Sequence, residues 1–278
     1  MLKKIILLIS AVLILSGCAD DQYTIEKKHW RVQKQANKIF KNPHASPPKE
    51  LENTVKLLNN FAQKYPANNL AVDAEFNIAR LYIVKEEYDN ARAQLKSLLD
   101  KYNKSDFICA EALFLLGNSY EMENKWDSAL AQYKQMIQKY PLTLKGMDMP
   151  VYIAQHYKVK YQPERMISAY QEAITHYNAL AAKYPGSPLA YNCHNLVAQC
   201  YIALKDWQNA IAVLNNVIQA YKGKVKADGI LMEMALIYQK ELKDTPKAKE
   251  ALETLLKEYP KSKLVKAAKS LLKEWSKK

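Results

Sequence analysis

The sequence predicts an all-α protein built as a solenoid of antiparallel helix pairs, and three observations carry that reading. Tyrosine closes a helical stretch at Tyr65, Tyr102, Tyr140, Tyr184, Tyr221 and Tyr259, at spacings of 37, 38, 44, 37 and 38 residues. Proline follows at Pro66, Pro141, Pro185 and Pro260, where it forbids helix continuation and draws the preceding residue out of the helical region. Inside the units a second pattern recurs. Ala79-x-x-Tyr82 precedes Tyr88-Asp89-Asn90-Ala91, Gly117-x-x-Tyr120 precedes Trp126-Asp127-Ser128-Ala129, and Ala198-x-x-Tyr201 precedes Trp207-Gln208-Asn209-Ala210. Self-similarity at a fixed period means that each unit buries its apolar face only against its neighbours.

The elements follow in chain order. Lys3 and Lys4 precede an apolar run from Ile5 to Leu15, then Ser16-Gly17-Cys18. A positive start, a short apolar core and a small-residue cleavage site make a secretory signal over residues 1–17. The run is too short to cross a bilayer, which needs ~20 apolar residues. The cysteine after Ser16-Gly17 resembles the lipobox of bacterial lipoproteins; a plain signal peptide with a coincidental cysteine is the other reading. The resemblance implies a diacylglycerol on Cys18, cleavage before it and acylation of the new amine. In that family an aspartate directly after the cysteine retains the protein at the inner membrane. Here Ala19 stands there, with Asp20 and Asp21 following, which implies a lipid anchor in the outer membrane with the body facing the periplasm. Residues 18–47 hold this N-terminus and an irregular first helix over about 22–40, ended by Asn42-Pro43-His44-Ala45-Ser46-Pro47-Pro48.

The repeats occupy residues 48–260. Small residues on each first helix (Ala79, Gly117, Ala154, Ala198, Ala235) face small residues on the second (Ala91, Ala129, Ala173, Ala210, Ala248) where the pair closes tightly. At these positions the chain resembles the tetratricopeptide-repeat family, most clearly in Leu116-Gly117-x-x-Tyr120, Ala129-x-x-x-Tyr133 and Pro141, although Leu113 replaces the usual tryptophan. The resemblance implies a right-handed α-solenoid of about six units plus a capping helix. The period exceeds the family's ~34 residues. The fourth unit is longer again by about two helical turns, with Met166, Ile167, Ala169, Tyr170, Ala173, Ile174, Tyr177 and Leu180 on one face from Pro163. In the basic C-terminal segment, residues 261–278, Leu264, Ala268, Leu271, Leu272 and Trp275 form one stripe and Lys266, Lys269 and Lys273 lie away from it. A solenoid needs such a cap; a lipid-binding amphipathic helix is the alternative.

Composition narrows the function. The formal charge is +13, and from Lys222 onward 15 lysines stand against 8 acidic residues. Only four of the 41 basic residues are arginine, the side chain that makes forked phosphate and base contacts, so nucleic acid is not the expected partner. Cys193 and Cys200 lie seven apart on one helix, ~10.5 Å along its axis, too far for a disulfide. Cys193-His194 with Cys200 lacks the ligand spacing of a zinc site. No G-x-S-x-G, H-E-x-x-H or glycine-rich phosphate loop occurs, so neither enzyme activity nor a cofactor or metal is expected.

The family resemblance implies a concave groove lined by the first helix of each pair, holding an extended peptide or a partner's helix. Its register places Asp73, Phe76, Asn77, Arg80, Phe114, Asn118, Gln155, Asn195 and Gln199 in that groove. Asn118, Gln155 and Gln199 are equivalent, and an amide donates and accepts together, as a peptide backbone requires. Phe76 and Phe114 are the expected apolar anchors; amides tolerated on a wet surface are the alternative. With Cys18, the chain resembles the repeat lipoproteins of the outer-membrane β-barrel assembly machinery, which implies assembly subunits or barrel substrates as partners. A pilotin-like secretin escort, a Tol-Pal-associated scaffold and a polymer-export adaptor share the architecture.

Overall fold

The computed structural model describes residues 20–276; the signal-like segment and Cys18 lie outside the described residues. Among these, the regular elements are thirteen α-helices and there is no strand. They are α1 Gln22–Lys41, α2 Pro48–Lys64, α3 Asn69–Val84, α4 Tyr88–Lys101, α5 Asp106–Met122, α6 Trp126–Lys139 and α7 Leu144–Val159. Then come α8 Pro163–Lys183, α9 Pro188–Ala203, α10 Trp207–Ala220, α11 Asp228–Lys240, α12 Thr245–Glu258 and α13 Val265–Trp275. Six successive pairs and a last single helix give the expected series of antiparallel helix pairs, with α1 to α6 in the first part of the chain and α8 to α13 in the second each packing on their chain neighbours. The chain divides into two compact units, one ending at Met147 and the other beginning at Asp148, so α7 starts in the first and continues in the second.

The tyrosine punctuation has a backbone explanation. Each pair-closing tyrosine caps its helix, and its carbonyl accepts from the amide three residues on: Asn68 to Tyr65 at 3.0 Å, Ser105 to Tyr102 at 2.9 Å, Ser262 to Tyr259 at 2.9 Å. At four of the six junctions that third residue (Asn68, Ser105, Thr143 or Ser187) directly precedes the next helix, whereas after Tyr221 and Tyr259 the helix starts a few residues later. The side chains of Asn68, Ser105, Thr143 and Ser187 accept from the amides of Leu70, Ile108, Gly146 and Ala190, satisfying donors that a helix start leaves orphaned. Tyr-x-x-(Asn/Ser/Thr) is therefore one device that both stops and starts a helix.

The tighter turn inside each pair uses another device. Glu86, Asn124, Tyr161, Lys205 and Lys243 all have left-handed φ, from 54° to 62°. The amide after the first four donates to a tyrosine carbonyl five residues back (Tyr82, Tyr120, Tyr157 and Tyr201), at 2.8–2.9 Å. This is the Schellman closure, usually carried by glycine. None of the five is glycine, so each turn holds a non-glycine residue where its Cβ is crowded, at roughly 1–2 kcal/mol.

Side chains fill the space between paired helices. In the first unit Leu51, Val55, Leu58, Phe61, Ile78 and Leu81 form one apolar cluster with Ala36 and Ile39 of α1. Where the sequence suggested irregularity, α1 runs unbroken over 20 residues, capped by Asp21, and packs on α2 and α3. Gly117 is a close-approach site: a Cβ there would lie 2.2 Å from Cε1 of the fully buried Tyr133. In the second unit the seven extra residues all enter one helix, since α8 has 21 residues where α4, α6, α10 and α12 have 14. Ala169, Tyr170, Ala173, Ile174, Tyr177 and Leu180 are buried as expected. Ile167 is not: it is 43% exposed, within the stretch Pro163–Ser168 at the start of α8 in which no residue is buried. At the C-terminal end Ala268 and Trp275 are buried against Leu252 and Leu255, with Leu264, Leu271 and Leu272 packed alongside. The apolar stripe of α13 thus packs on α12, with Leu264, Leu271 and Leu272 half-buried.

Candidate functional site

In the first unit, first helices α1, α3 and α5 carry a connected polar ladder. Asn77, only 4% exposed, donates through Nδ2 to Gln33 Oε1 at 2.6 Å and to Asp73 Oδ2 at 3.0 Å. Its Oδ1 accepts from Arg80 Nη1 at 3.3 Å, and Arg80 Nη2 pairs with Glu111 Oε1 at 2.9 Å. His29 Nε2 lies 3.0 Å from Asp73 Oδ2, close enough for an ion pair but out of line for a hydrogen bond. His29 beside it, followed by the Arg80 charge and the Asn77 amide, holds the Asp73 carboxyl below its usual range against the opposing effect of burial. The ladder joins α1 to α3 and α3 to α5.

That geometry corrects part of the expected groove. Phe76 was expected to receive a partner's apolar side chain, but it is 5% exposed and Arg80 lies 5.6 Å from its ring centroid. The Arg80 guanidinium, held by Asn77 and Glu111, lies on the ring side that a partner would need. Both amide donors of Asn77 and its carbonyl are used within the unit, so it has little to offer a peptide. Phe114 is half-buried, with Lys145 Nζ 3.7 Å from its ring centroid, a cation–π contact that leaves an amphipathic edge rather than a bare ring. Asn118, one turn further along α5, is half-buried.

In the second unit Asn195 donates to the Tyr191 carbonyl one turn back at 2.9 Å, which ties its amide to its own helix. Gln155 on α7 and Gln199 on α9 are exposed and keep the equivalent position that the sequence assigned them. The same unit opens a cleft of about 390 Å³ beside α10, α11 and α12, floored by Leu231, Met234 and Tyr238 with Lys222 and Lys247 among its walls. It arises where seven residues, rather than the usual four, join α10 to α11.

Sequence reasoning missed Arg92 altogether. The residue is 7% exposed, and its guanidinium pairs with Asp89 Oδ1 at 2.6 Å and Glu123 Oε2 at 2.7 Å and stacks 4.6 Å from the Tyr120 ring centroid. It clamps α4 to the turn after α5, and the only signal would have been an arginine at a core-facing register position. Cys109, Cys193 and Cys200 are free and buried, and burial pushes the Cys200 thiol up to about 12. Among the described residues no His/Cys/Asp/Glu group could hold a metal ion, and no helix is long and apolar enough to cross a membrane.

Comparison with known proteins agrees with the repeat geometry. Residues 73–105, 111–143 and 230–262 match the family model described as tetratricopeptide repeat, and residues 168–224 match a second model of the same description. Together these matches cover more than half of the chain. No curated protein is similar enough to match. Among solved structures the chain is similar to BtubC (BKLC) from P. vanneervenii, at 14% identity, 81% of this chain, 90% of that one and a TM-score of 0.45. It is similar to a tetratricopeptide repeat protein from Parabacteroides merdae, at 13% identity, 90% and 99% coverage and a TM-score of 0.36. The TPR2AB domain of yeast Sti1 in complex with pHSP90 gives 14% identity, 90% and 99% coverage and a TM-score of 0.34. Likeness at these scores carries neither a partner nor an overall arrangement across to this chain.

Proposed function

We propose that this chain, which belongs to the tetratricopeptide-repeat family, is a lipid-anchored scaffold that binds partner proteins of the cell envelope. Tetratricopeptide repeats serve protein–protein interaction, and the carrying observation is the amide series on the first helices. Asn77 and Asn195 spend their amides internally, whereas Gln155 and Gln199 stay exposed at one recurring position that Asn118 shares. An exposed amide pairs with the backbone of an extended peptide through a donor and an acceptor at once. Phe114 under Lys145 adds an apolar edge with a positive charge, suited to a peptide carrying an apolar residue beside an acidic one.

The anchor is Cys18, and the lipobox-like Ser16-Gly17-Cys18 with Ala19 after it supports placement at the outer membrane, facing the periplasm. One acyl chain alone anchors marginally, and the three implied by such processing hold firmly. Outer-membrane protein assembly is the pathway this combination fits best, with assembly subunits or barrel substrates as partners.

The test is in-cell photo-crosslinking from positions 114, 118, 155 and 199, with captured proteins identified by mass spectrometry, alongside palmitate labelling of the wild type and Cys18→Ala. Assembly subunits or nascent barrels in the captured set support the pathway. Secretin subunits, Tol-Pal components or export proteins keep the scaffold and discard that pathway. No capture from any of the four positions removes the first-helix surface as the working face.

A further inference from the structure

The first helix has a face that the repeat core does not use. Tyr23, Lys27, Trp30 and Lys34 follow at intervals of four, three and four, which keeps them within about 60° of one line along a helix. All four are exposed, Tyr23 by 70% and Trp30 by 60%. Lys27 Nζ lies 6.0 Å from the Tyr23 ring centroid and Lys34 Nζ 5.3 Å from that of Trp30, so rings and ammonium groups alternate in two stacked pairs. The opposite side of α1, with Ile25, Val32, Ala36 and Ile39, is the side that packs into the core. The stripe is therefore a surface in its own right. Across α1 six basic residues stand against the single acid Glu26.

A second observation says what covers it. Asp20, just ahead of α1, is clasped to the body: Lys28 Nζ reaches its Oδ2 at 2.7 Å, Lys64 Nζ at 3.1 Å, and the Tyr65 hydroxyl donates to the same oxygen. Cys18 lies two residues upstream, and two residues of chain span at most ~7 Å. An acyl group on Cys18, on the lipoprotein reading above, thus leaves no linker between bilayer and repeat body. Alternating Trp, Tyr and Lys is the composition that settles at a headgroup layer, rings at the interface and ammonium groups on anionic phosphates.

We infer that the Tyr23–Lys27–Trp30–Lys34 face of α1 lies on the anionic phospholipid surface of the membrane that holds the anchor. It makes a second membrane contact beside the acyl chains, which fixes the orientation of the first helix pairs rather than leaving them on a loose tether.

The test uses the full processed protein, purified from membranes and reconstituted into phosphatidylcholine vesicles with and without phosphatidylglycerol, with brominated acyl chains as quencher. The difference in emission between wild type and Trp30→Phe reports Trp30 alone. Quenching of Trp30 that needs phosphatidylglycerol, and that is lost in Lys27→Glu/Lys34→Glu with unchanged far-UV circular dichroism, supports the inference. Unquenched Trp30, or equal quenching in both vesicles, overturns it. A photo-crosslinker at position 30 captured in a discrete protein rather than lipid overturns it as well. The mass of the N-terminal peptide separates this from the anchor: acylated Cys18 with unquenched Trp30 sinks only the surface. Quenched Trp30 with unmodified Cys18 sinks only the anchor.

Discussion

Replacing Gly117 with alanine tests how tightly the repeat pairs are packed. On an isolated helix the change is favourable, since alanine gains about 1 kcal/mol over glycine in a helix interior. Here the new Cβ would meet Tyr133 Cε1, Cδ1 and Cζ at 2.2, 2.6 and 2.7 Å. Tyr133 has nowhere to retreat. Its ring is fully buried, its hydroxyl donates to Glu121 Oε2 at 2.9 Å, and the Trp126 ring lies 6.1 Å away. Overpacking of this kind costs about 1–3 kcal/mol. Expelling the ring instead forfeits about 2–3 kcal/mol of burial. The expected net effect of Gly117→Ala is a loss of about 1–2 kcal/mol once the ~1 kcal/mol helix gain is subtracted. Gly229→Ala is the control, because nothing lies within 4 Å of its Cβ position, and it should stabilise by ~0.5–1 kcal/mol. Urea unfolding followed by circular dichroism should give both, together with a double-mutant cycle. Leucine stands at the Tyr133 position in other units, as Leu95, Leu214 and Leu252. In a Tyr133→Leu background Gly117→Ala should therefore turn neutral or stabilising. Equal effects in both backgrounds, or stabilisation matching Gly229→Ala, would refute the close-approach account.

Four further outcomes follow. Lys205→Gly, relieving a left-handed residue at φ 59°, should raise the melting temperature by the equivalent of about 0.5–1 kcal/mol, and a lower value would show that the turn is unstrained. His176 sits half-buried with its pKa lowered by burial, so it is neutral when folded and charges on unfolding below its ordinary value of ~6.5. Its contribution is full above that pH and lost as pH falls below it; urea titrations from pH 7 to 5 should show a shallower decline in His176→Phe than in wild type. Cys193 and Cys200, both with raised pKa, should resist iodoacetamide at pH 8 until urea opens the second unit, as read by peptide mass. Asn77→Ala should cost about 1–3 kcal/mol in melts, because Gln33, Asp73 and Arg80 all lose a partner, whereas Gln199→Ala should leave the melt unchanged within about 0.5 kcal/mol and lower partner capture instead.

The helix pairs were legible because their signal is local and repeated. The Tyr-Pro junctions mark backbone closures that depend on residues within five positions, and the seven surplus residues between Tyr140 and Tyr184 reappear as the longer α8. Register also placed the buried stripe of α8 correctly from Ala169 on, whereas Met166 is half-buried and Ile167 exposed, because helix periodicity assigns a face but not what covers it. The site was less legible for a related reason. Periodicity assigns a side chain to a face, but its availability depends on what the adjacent unit places opposite it. Arg92 shows the limit: its two carboxylate partners come from Asp89 nearby and from Glu123, 31 residues on.

The same distinction explains why equivalent faces of the first helices differ in use. Around Asn77 the preceding helix supplies Gln33 and His29, so the amide and carboxylate there close on each other and fasten α1 to α3. That joint lies near the N-terminal end, where one further anchor point, the Asp20 clasp, also holds α1 against α2. Polar capacity at this end is thus consumed in rigidity. At Gln155 and Gln199 the side chains remain exposed, so polar capacity there stays open to a partner. On the proposed anchoring through Cys18, stiffness at this end and receptive side chains farther along the chain would suit a tethered scaffold. The candidate interaction residues to mutate first are accordingly Asn118, Gln155 and Gln199 rather than the ladder residues Asp73, Asn77 and Arg80, whose polar groups are already paired.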